Sequence, residues 1–240
     1  MSPRFKTSSV RRQDNRLKGL RILFEDEALI VVEKPAGMLT THTKLSGRAA
    51  REAQLTAENV LTDYVRKGQW KSSKRVYLVH RLDRETSGVM MFAKSQAVAD
   101  KLRERWNETT EKIYLAKVEG EFAEPKGIFI SHLKEDEEGY RVRSVPEKTP
   151  GAKLAKTAWE RTADGLMRIT LHSGRKNQIR VHFAEAGHPL VGDVKYGAKC
   201  ASRLFLHAWR LSFQHPVTGE TLTFESACPF EGGSVSSHRN

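Results

Sequence analysis

The sequence predicts a mixed α/β fold of the α+β kind, a largely antiparallel sheet with flanking helices around a central basic cleft. Three observations carry that expectation. Apolar runs of strand length follow one another without the helix that a parallel crossover requires. Three other segments carry helical period instead. A chain of 240 residues with 38% hydrophobic content can bury a real core but is short for two full domains.

Taken in order, residues 1–21 hold seven cations (Arg4, Lys6, Arg11, Arg12, Arg16, Lys18, Arg21) and one acid, Asp14, with no apolar period. They read as a flexible basic arm. The catalytic-sized domain is expected over 22–228 and a flexible tail over 229–240. Residues 22–24 and 28–32 read as a hairpin around the Glu25-Asp26-Glu27 turn, ending at Lys34-Pro35-Ala36-Gly37. Residues 57–66 fit a short helix, and Ser95 caps a longer one through Trp106 with Val98 and Leu102 on one face. Residues 75–78 and the apolar run 89–93 are candidate strands on either side of a turn. Further strands are expected at 112–118, 166–171, 204–213 and 221–225, and a helix at 178–186 stopped by Gly187 and Pro189. Between 134 and 156 the chain is charged and aperiodic, which reads as an exposed excursion from the sheet.

Charge narrows the class of partner. Lys and Arg number 41 against 29 Asp and Glu, a net charge of +12, and such a surplus favours a polyanion through phosphate neutralisation and counterion release. Cys200 and Cys228 have no metal-ligand spacing and are too few for a disulfide framework, which suits a reducing cytoplasm. No apolar run reaches the length of a membrane span, and the N-terminus lacks the apolar middle of a signal peptide. His182 and His188 are six apart and no HExxH or HxH pattern occurs, so no metal or cofactor is expected. Neither a Gly-rich phosphate loop nor a DFG accompanies the HRLD run, which excludes a kinase. The expected protein is a cytoplasmic monomer with a polyanionic partner.

The most informative run is Val79-His80-Arg81-Leu82-Asp83-Arg84-Glu85-Thr86-Ser87-Gly88. It sets one carboxylate, Asp83, among the basic side chains His80, Arg81 and Arg84, in a turn between two candidate strands, where a side chain projects into a cleft. Nearby cations favour the ionised carboxylate and keep a nucleophile or base available at neutral pH.

Three distant segments together resemble the RluA-type RNA pseudouridine synthases. The HRLDxxTSG run is similar to that family's catalytic motif, which makes Asp83 the nucleophile and Arg81 the arginine that enters the space left by the flipped uridine. Lys112-Ile113-Tyr114-Leu115-Ala116-Lys117-Val118-Glu119-Gly120 resembles the KxYxAxVxG strand, which makes Tyr114 the active-site tyrosine. Gly174-Arg175-Lys176-Asn177-Gln178-Ile179-Arg180-Val181-His182 resembles the third motif, in which Arg180 would pair with Asp83. Weaker matches are Lys34-Pro35-Ala36-Gly37, Gly187-His188-Pro189-Leu190-Val191-Gly192-Asp193, Tyr196-Gly197, Phe205-Leu206-His207-Ala208 and His215-Pro216-Val217-Thr218-Gly219. The resemblance runs from about residue 22 to about 226.

The chain departs from the family at Lys176-Asn177, where relatives have Thr-His, and at Val194, where they have Pro. Both departures bear on RNA contacts more than on chemistry. Residues 1–21 are too few and too polar to form the small RNA-binding domain that many relatives carry, so a single-domain member is implied.

The implied reaction turns a specific uridine of a structured RNA stem-loop into pseudouridine, without cofactor or metal. The substrate expected first is 23S ribosomal RNA, with transfer RNA as the alternative. Asp83, Tyr114 and Arg180 are the implied catalytic residues, and His80, Arg81, Arg84, Arg175, Lys176, Asn177 and Gln178 the implied RNA contacts. His80 is also placed to shape the turn by hydrogen bonding. The rival from another class is a non-catalytic RNA-binding or ribosome-assembly factor using the same cleft.

Overall fold

The computed structural model describes residues 16–42, 54–69, 71–136 and 141–230, among which twelve strands form one sheet. The strands are β1 (Arg16–Leu17), β2 (Leu20–Glu25), β3 (Leu29–Lys34), β4 (Tyr77–Leu78), β5 (Ser87–Ala93), β6 (Thr110–Ala116), β7 (Lys126–Glu135), β8 (Val142–Val145), β9 (Lys153–Arg161), β10 (Met167–Leu171), β11 (Leu206–Gln214) and β12 (Thr221–Glu225). They run β1-β2-β3-β5-β11-β6-β10-β9-β7-β8, with β4 beside β5 and β12 beside β11. Every pairing is antiparallel except that of β5 with β11, so the expected class of sheet is present.

That parallel contact is short and central. It pairs Ser87 with His207 and Gly88 with Ala208. At Gly88, φ is +117° and a Cβ would lie 2.2 Å from the Ala208 carbonyl oxygen, so only glycine lets the two strands meet. Ser87 Oγ and His207 Nδ1 share a hydrogen bond of 2.8 Å across the same junction. The Ser-Gly end of the HRLD run therefore serves the fold.

Strand β5 is buried at every position because both faces of the sheet are covered there. Met90 and Phe92 enter one core with Val60 and Leu61 of helix α1 (Ala57–Arg66) and Ile179 and Phe183 of helix α4 (Gln178–Glu185). Val89 and Met91 enter a second core with Val98 and Leu102 of helix α2 (Gln96–Glu104). Thr56 caps α1 through the Asn59 amide at 3.1 Å, and Lys67 and Gly68 end it in the left-handed region. Ser95 caps α2 as expected, but α2 stops at Glu104 and a separate turn, α3 (Trp106–Thr109), follows. The break lets Trp106 stack on His80, with ring centroids 4.8 Å apart.

Three boundaries differ from expectation. Residues 134–156 are no excursion: β7, β8 and β9 extend the sheet by antiparallel ladders. Their pattern hides this because Ile128 and Ile130 are 58% and 64% exposed, on a face that no described element covers. The basic arm was expected to reach residue 21, but Arg16–Leu17 pairs back on Leu20–Arg21 and belongs to the sheet. Phe230, assigned to the tail, is buried and packs on Phe205 at 5.1 Å between centroids. The remainder of the arm, 1–15, and of the tail, 231–240, lies outside the described residues. Among the described residues no helix is long and apolar enough to cross a membrane.

Candidate active site

The loop between β4 and β5 carries Asp83, and buried polar groups from the end of β3 and the segment after it grip it. Thr40 Oγ1 donates to Leu82 O at 2.7 Å and accepts from Leu82 N at 3.2 Å. Lys34, fully buried, donates through Nζ to Pro35 O, Met38 O and Arg84 O at 2.9, 2.7 and 3.2 Å. The Gly37 amide also donates to Arg84 O at 2.8 Å, and Arg84 Nε returns a bond to Gly37 O at 3.1 Å. Burial pushes the Lys34 amine down to about 7, against the pull of the Asp83 and Glu85 charges. The Lys-Pro-Ala-Gly segment is thus the clamp of the Asp83 loop.

Helix α4 supplies the opposing cation. Asn177 starts it from a left-handed conformation, φ 52°, and Arg180 follows within the first turn, almost fully buried. Two edges of the guanidinium are spoken for. Nε and Nη2 donate to Asp193 Oδ2 and Oδ1 at 2.7 and 2.6 Å, and the group lies over the Tyr196 ring at 5.2 Å. The third corner, Nη1, faces Asp83 Oδ2 at 3.7 Å, Glu85 Oε2 at 3.8 Å and Asn177 Oδ1 at 3.4 Å. Arg180 was expected to pair with Asp83, and the ion pair is present at 3.7 Å, but its shortest hydrogen bonds go to Asp193.

Asp83 and Tyr114 take their chemistry from this setting. Asp83 keeps 22% of its side chain exposed at the floor of the cleft. Burial raises its pKa above the ordinary carboxylate value, while Arg180, Arg81 and Lys195 pull it back and Glu85 pushes it up. The balance is upward, whereas the cations alone suggested a carboxylate held fully ionised. Tyr114, buried on β6, has its hydroxyl pKa raised, first by burial and then by the Asp83 charge, so it is a neutral phenol. It has no hydrogen-bond partner among the described residues.

Asp83, Tyr114 and Arg180 line one cleft of about 300 Å³, together with Trp106, Asn107, Lys112 and Arg175–Lys176 at its edges. Arg81, Arg84, Arg175 and Lys176 are exposed, as a nucleic-acid rim requires. Three expected RNA contacts, Gln178, Asn177 and His80, are instead committed to protein. Gln178 is buried: Oε1 accepts from Ser173 Oγ and Arg175 N at 2.8 and 3.0 Å, and Nε2 donates to Lys156 O and Thr157 Oγ1 at 3.0 and 2.8 Å. Asn177 donates to the Tyr196 hydroxyl at 2.9 Å. His80 Nε2 accepts the Met91 amide at 3.1 Å, and burial followed by the Lys112 charge pushes its pKa down to about 3. Its contacts are those of the turn-shaping role.

The residues that sequence reasoning passed over are Asp193, Tyr196 and Lys112. The first two had a signal in the Gly-Asp and Tyr-Gly matches. At Gly192, φ is +80° and a Cβ would lie 2.0 Å from Arg203 O, so the glycine places Asp193 under Arg180. Lys112 stands two residues before Tyr114 and was read only as part of its motif. Among the described residues no group of three or more His, Cys, Asp or Glu could hold a metal ion.

A family model described as RNA pseudouridylate synthase matches residues 28–185, well over half of the chain and inclusive of Asp83, Tyr114 and Arg180. The chain belongs to this family. Its relatives within the RNA pseudouridylate synthases include the uncharacterized RNA pseudouridine synthase YhcT of Bacillus subtilis, 35% identical over 88% of this chain and 69% of that protein. The ribosomal large subunit pseudouridine synthase C of Haemophilus influenzae is 34% identical over 86% of this chain but only 65% of its own length. The tRNA pseudouridine synthase C of Pasteurella multocida is 33% identical over 85% of this chain and 89% of its own. The chain thus spans about two thirds of the length of the first two. A solved structure, human RNA pseudouridylate synthase domain containing 4, shares the fold with a TM-score of 0.68 at 23% identity, over 87% of this chain and 88% of that one. The RluA-type resemblance and the expected fold are borne out.

Proposed function

We propose that this chain isomerises a specific uridine to pseudouridine in structured RNA, with Asp83 as the nucleophile. The observation that carries the reading is the setting of Asp83: a partly exposed carboxylate on a clamped loop, facing Arg180 Nη1 at 3.7 Å and sharing its cleft with Tyr114. The reaction breaks N1–C1′, turns the uracil while it stays bound, and forms C5–C1′. The proton lost from C5 is balanced by one gained at N1. Attack of Asp83 on the sugar, its attack on uracil, and its removal of the C2′ proton each require the ionised form. Arg180 favours that form and, anchored on Asp193, does not collapse onto Asp83.

Tyr114 offers an aromatic face against which uracil can stack. Its hydroxyl is neutral, so it can accept the C5 proton only by releasing its own. The target must leave its stack at a cost of roughly a few kcal/mol, and Arg81 fills the vacated space with a planar cation, a role that its exposure supports. The catalytic unit of this proposal runs from residue 16 to residue 230, since both end segments pack into the described fold.

The substrate proposed first is 23S ribosomal RNA, the reading carried over from the sequence. Transfer RNA is the second, favoured by the likeness over most of the length of a tRNA pseudouridine synthase. Tritium release from RNA labelled at uridine C5 tests the chemistry: Asp83→Asn should release none while binding RNA within a few fold of the wild type. Pseudouridine mapping of total RNA from a strain without the protein tests the substrate.

A further inference from the structure

Two lysines are buried in the described fold close to the Asp83 cleft, and only one is satisfied. Lys34 has three carbonyl acceptors within 3.2 Å. Lys112, 6% exposed, has a single hydrogen bond among the described residues, to Asn107 Oδ1 at 3.4 Å, and no carboxylate within 4.0 Å. A buried ammonium without a counter-charge costs the fold, and its pKa is lowered by burial alone.

What surrounds Lys112 points to an anion arriving from outside. Lys112 and Tyr114 are two residues apart on β6, so their side chains share a face and both line the cleft, with Cα atoms ~7 Å apart. His80, which lines the cleft beside it, is neutral and adds no second positive charge there. Exposed Asn107 accepts from Lys112 through Oδ1, which leaves its Nδ2 as a second donor at the same place. Arg180, elsewhere in the cleft lining, already has three carboxylates around it, Asp83, Glu85 and Asp193. An anionic group therefore settles at the Lys112 end, and a neutral uracil oxygen would leave the ammonium uncompensated.

We propose that Lys112, assisted by Asn107, is a positioning residue that holds one phosphate of the RNA backbone beside the flipped uridine. The inference rests on the Asp83 cleft being the reaction site. Bound phosphate at this end fixes the sugar relative to Asp83 while Tyr114 takes the base, so the nucleotide is held at both ends.

The test uses the full chain and an RNA stem-loop containing the mapped uridine, with each phosphate flanking that uridine replaced singly by a neutral methylphosphonate. Wild-type enzyme should lose about tenfold in kcat/KM at one such position, and Lys112→Met should lose about the same on unmodified RNA and nothing further at that position. The salt slope of log kcat/KM should fall by about one in Lys112→Met. Its unfolding temperature should equal or exceed that of the wild type, which a merely structural lysine would not allow. Asn107→Asp, an exposed change that neutralises Lys112 without touching the core, should raise KM and supplies the same comparison if Lys112→Met fails to fold. Full additivity of Lys112→Met with every methylphosphonate, or an unchanged KM and slope, overturns the phosphate anchor while Asp83→Asn stays inactive. Turnover by Asp83→Asn overturns the site and this inference together.

Discussion

Arg180 donates to both carboxylate oxygens of Asp193, at 2.7 and 2.6 Å, and meets Asp83 only with the corner that is left. The cation is thus fixed in place whether Asp83 is charged, protonated or covalently engaged. Asp193 is fully buried, so the pair is a unit that fails if either member is removed.

Arg180→Met should therefore abolish turnover and cost about 3–5 kcal/mol of stability, because it strands a buried carboxylate as well as Asp83. Asp193→Asn should lower turnover without altering Asp83 itself, since a freed guanidinium can swing toward the nucleophile. Urea unfolding and tritium release on the two variants check both statements. Normal turnover in Asp193→Asn would show that the anchor is dispensable.

Asp83→Asn should be inactive yet at least as stable as the wild type at neutral pH. The sign follows from linkage. The folded pKa of Asp83 lies above its unfolded value near 3.8, so the folded protein holds the proton more tightly. The stability this contributes is present below the unfolded pKa and is lost as pH rises through the folded one. The wild type should lose stability relative to Asp83→Asn across that interval, while its turnover rises as the carboxylate ionises. Parallel unfolding and rate profiles from acid to neutral pH measure both trends.

Tyr114→Phe keeps the stacking face and deletes the hydroxyl. RNA affinity should persist within a few fold and turnover should slow at proton removal, with intermediate accumulating. Burst-phase kinetics on labelled RNA would detect it, and wild-type turnover would reduce Tyr114 to a packing and stacking residue.

Removing residues 1–15 deletes four cations, Arg4, Lys6, Arg11 and Arg12, and spares the hairpin that starts at Arg16. RNA binding should weaken for all sequences and its salt dependence should flatten, with the modified uridine unchanged. A shifted modification site at unchanged salt slope would show that this segment reads a particular RNA structure.

What was legible in the sequence was what local chemistry dictates. The 57–66 helix announced itself by its period, the next one by its Ser95 cap, and Asp83 by its place in a basic turn. Strands β7 to β9 were not legible, because Ile128 and Ile130 point to solvent and the partners lie across the charged 134–156 stretch. The Arg180–Asp193 pair was hidden for a related reason. It closes across thirteen residues through a turn that Gly192 alone permits, and no periodicity records such a contact. Gln178 showed the opposite error: a polar residue in a functional motif was expected to face RNA, and every polar atom of its amide is engaged within the fold.

The two-residue contact at Gly88 and Ala208 has a mechanical consequence. It joins the part of the sheet that carries the Asp83 loop to the part that carries α4 and Arg180. The nucleophile and its cation thus lie on opposite halves of one sheet that also share a core, and the 3.7 Å gap between them spans the junction. A side chain at position 88 would force those halves apart, and with them Asp83 from Arg180, so the glycine that lets the strands meet also sets the distance on which the chemistry depends.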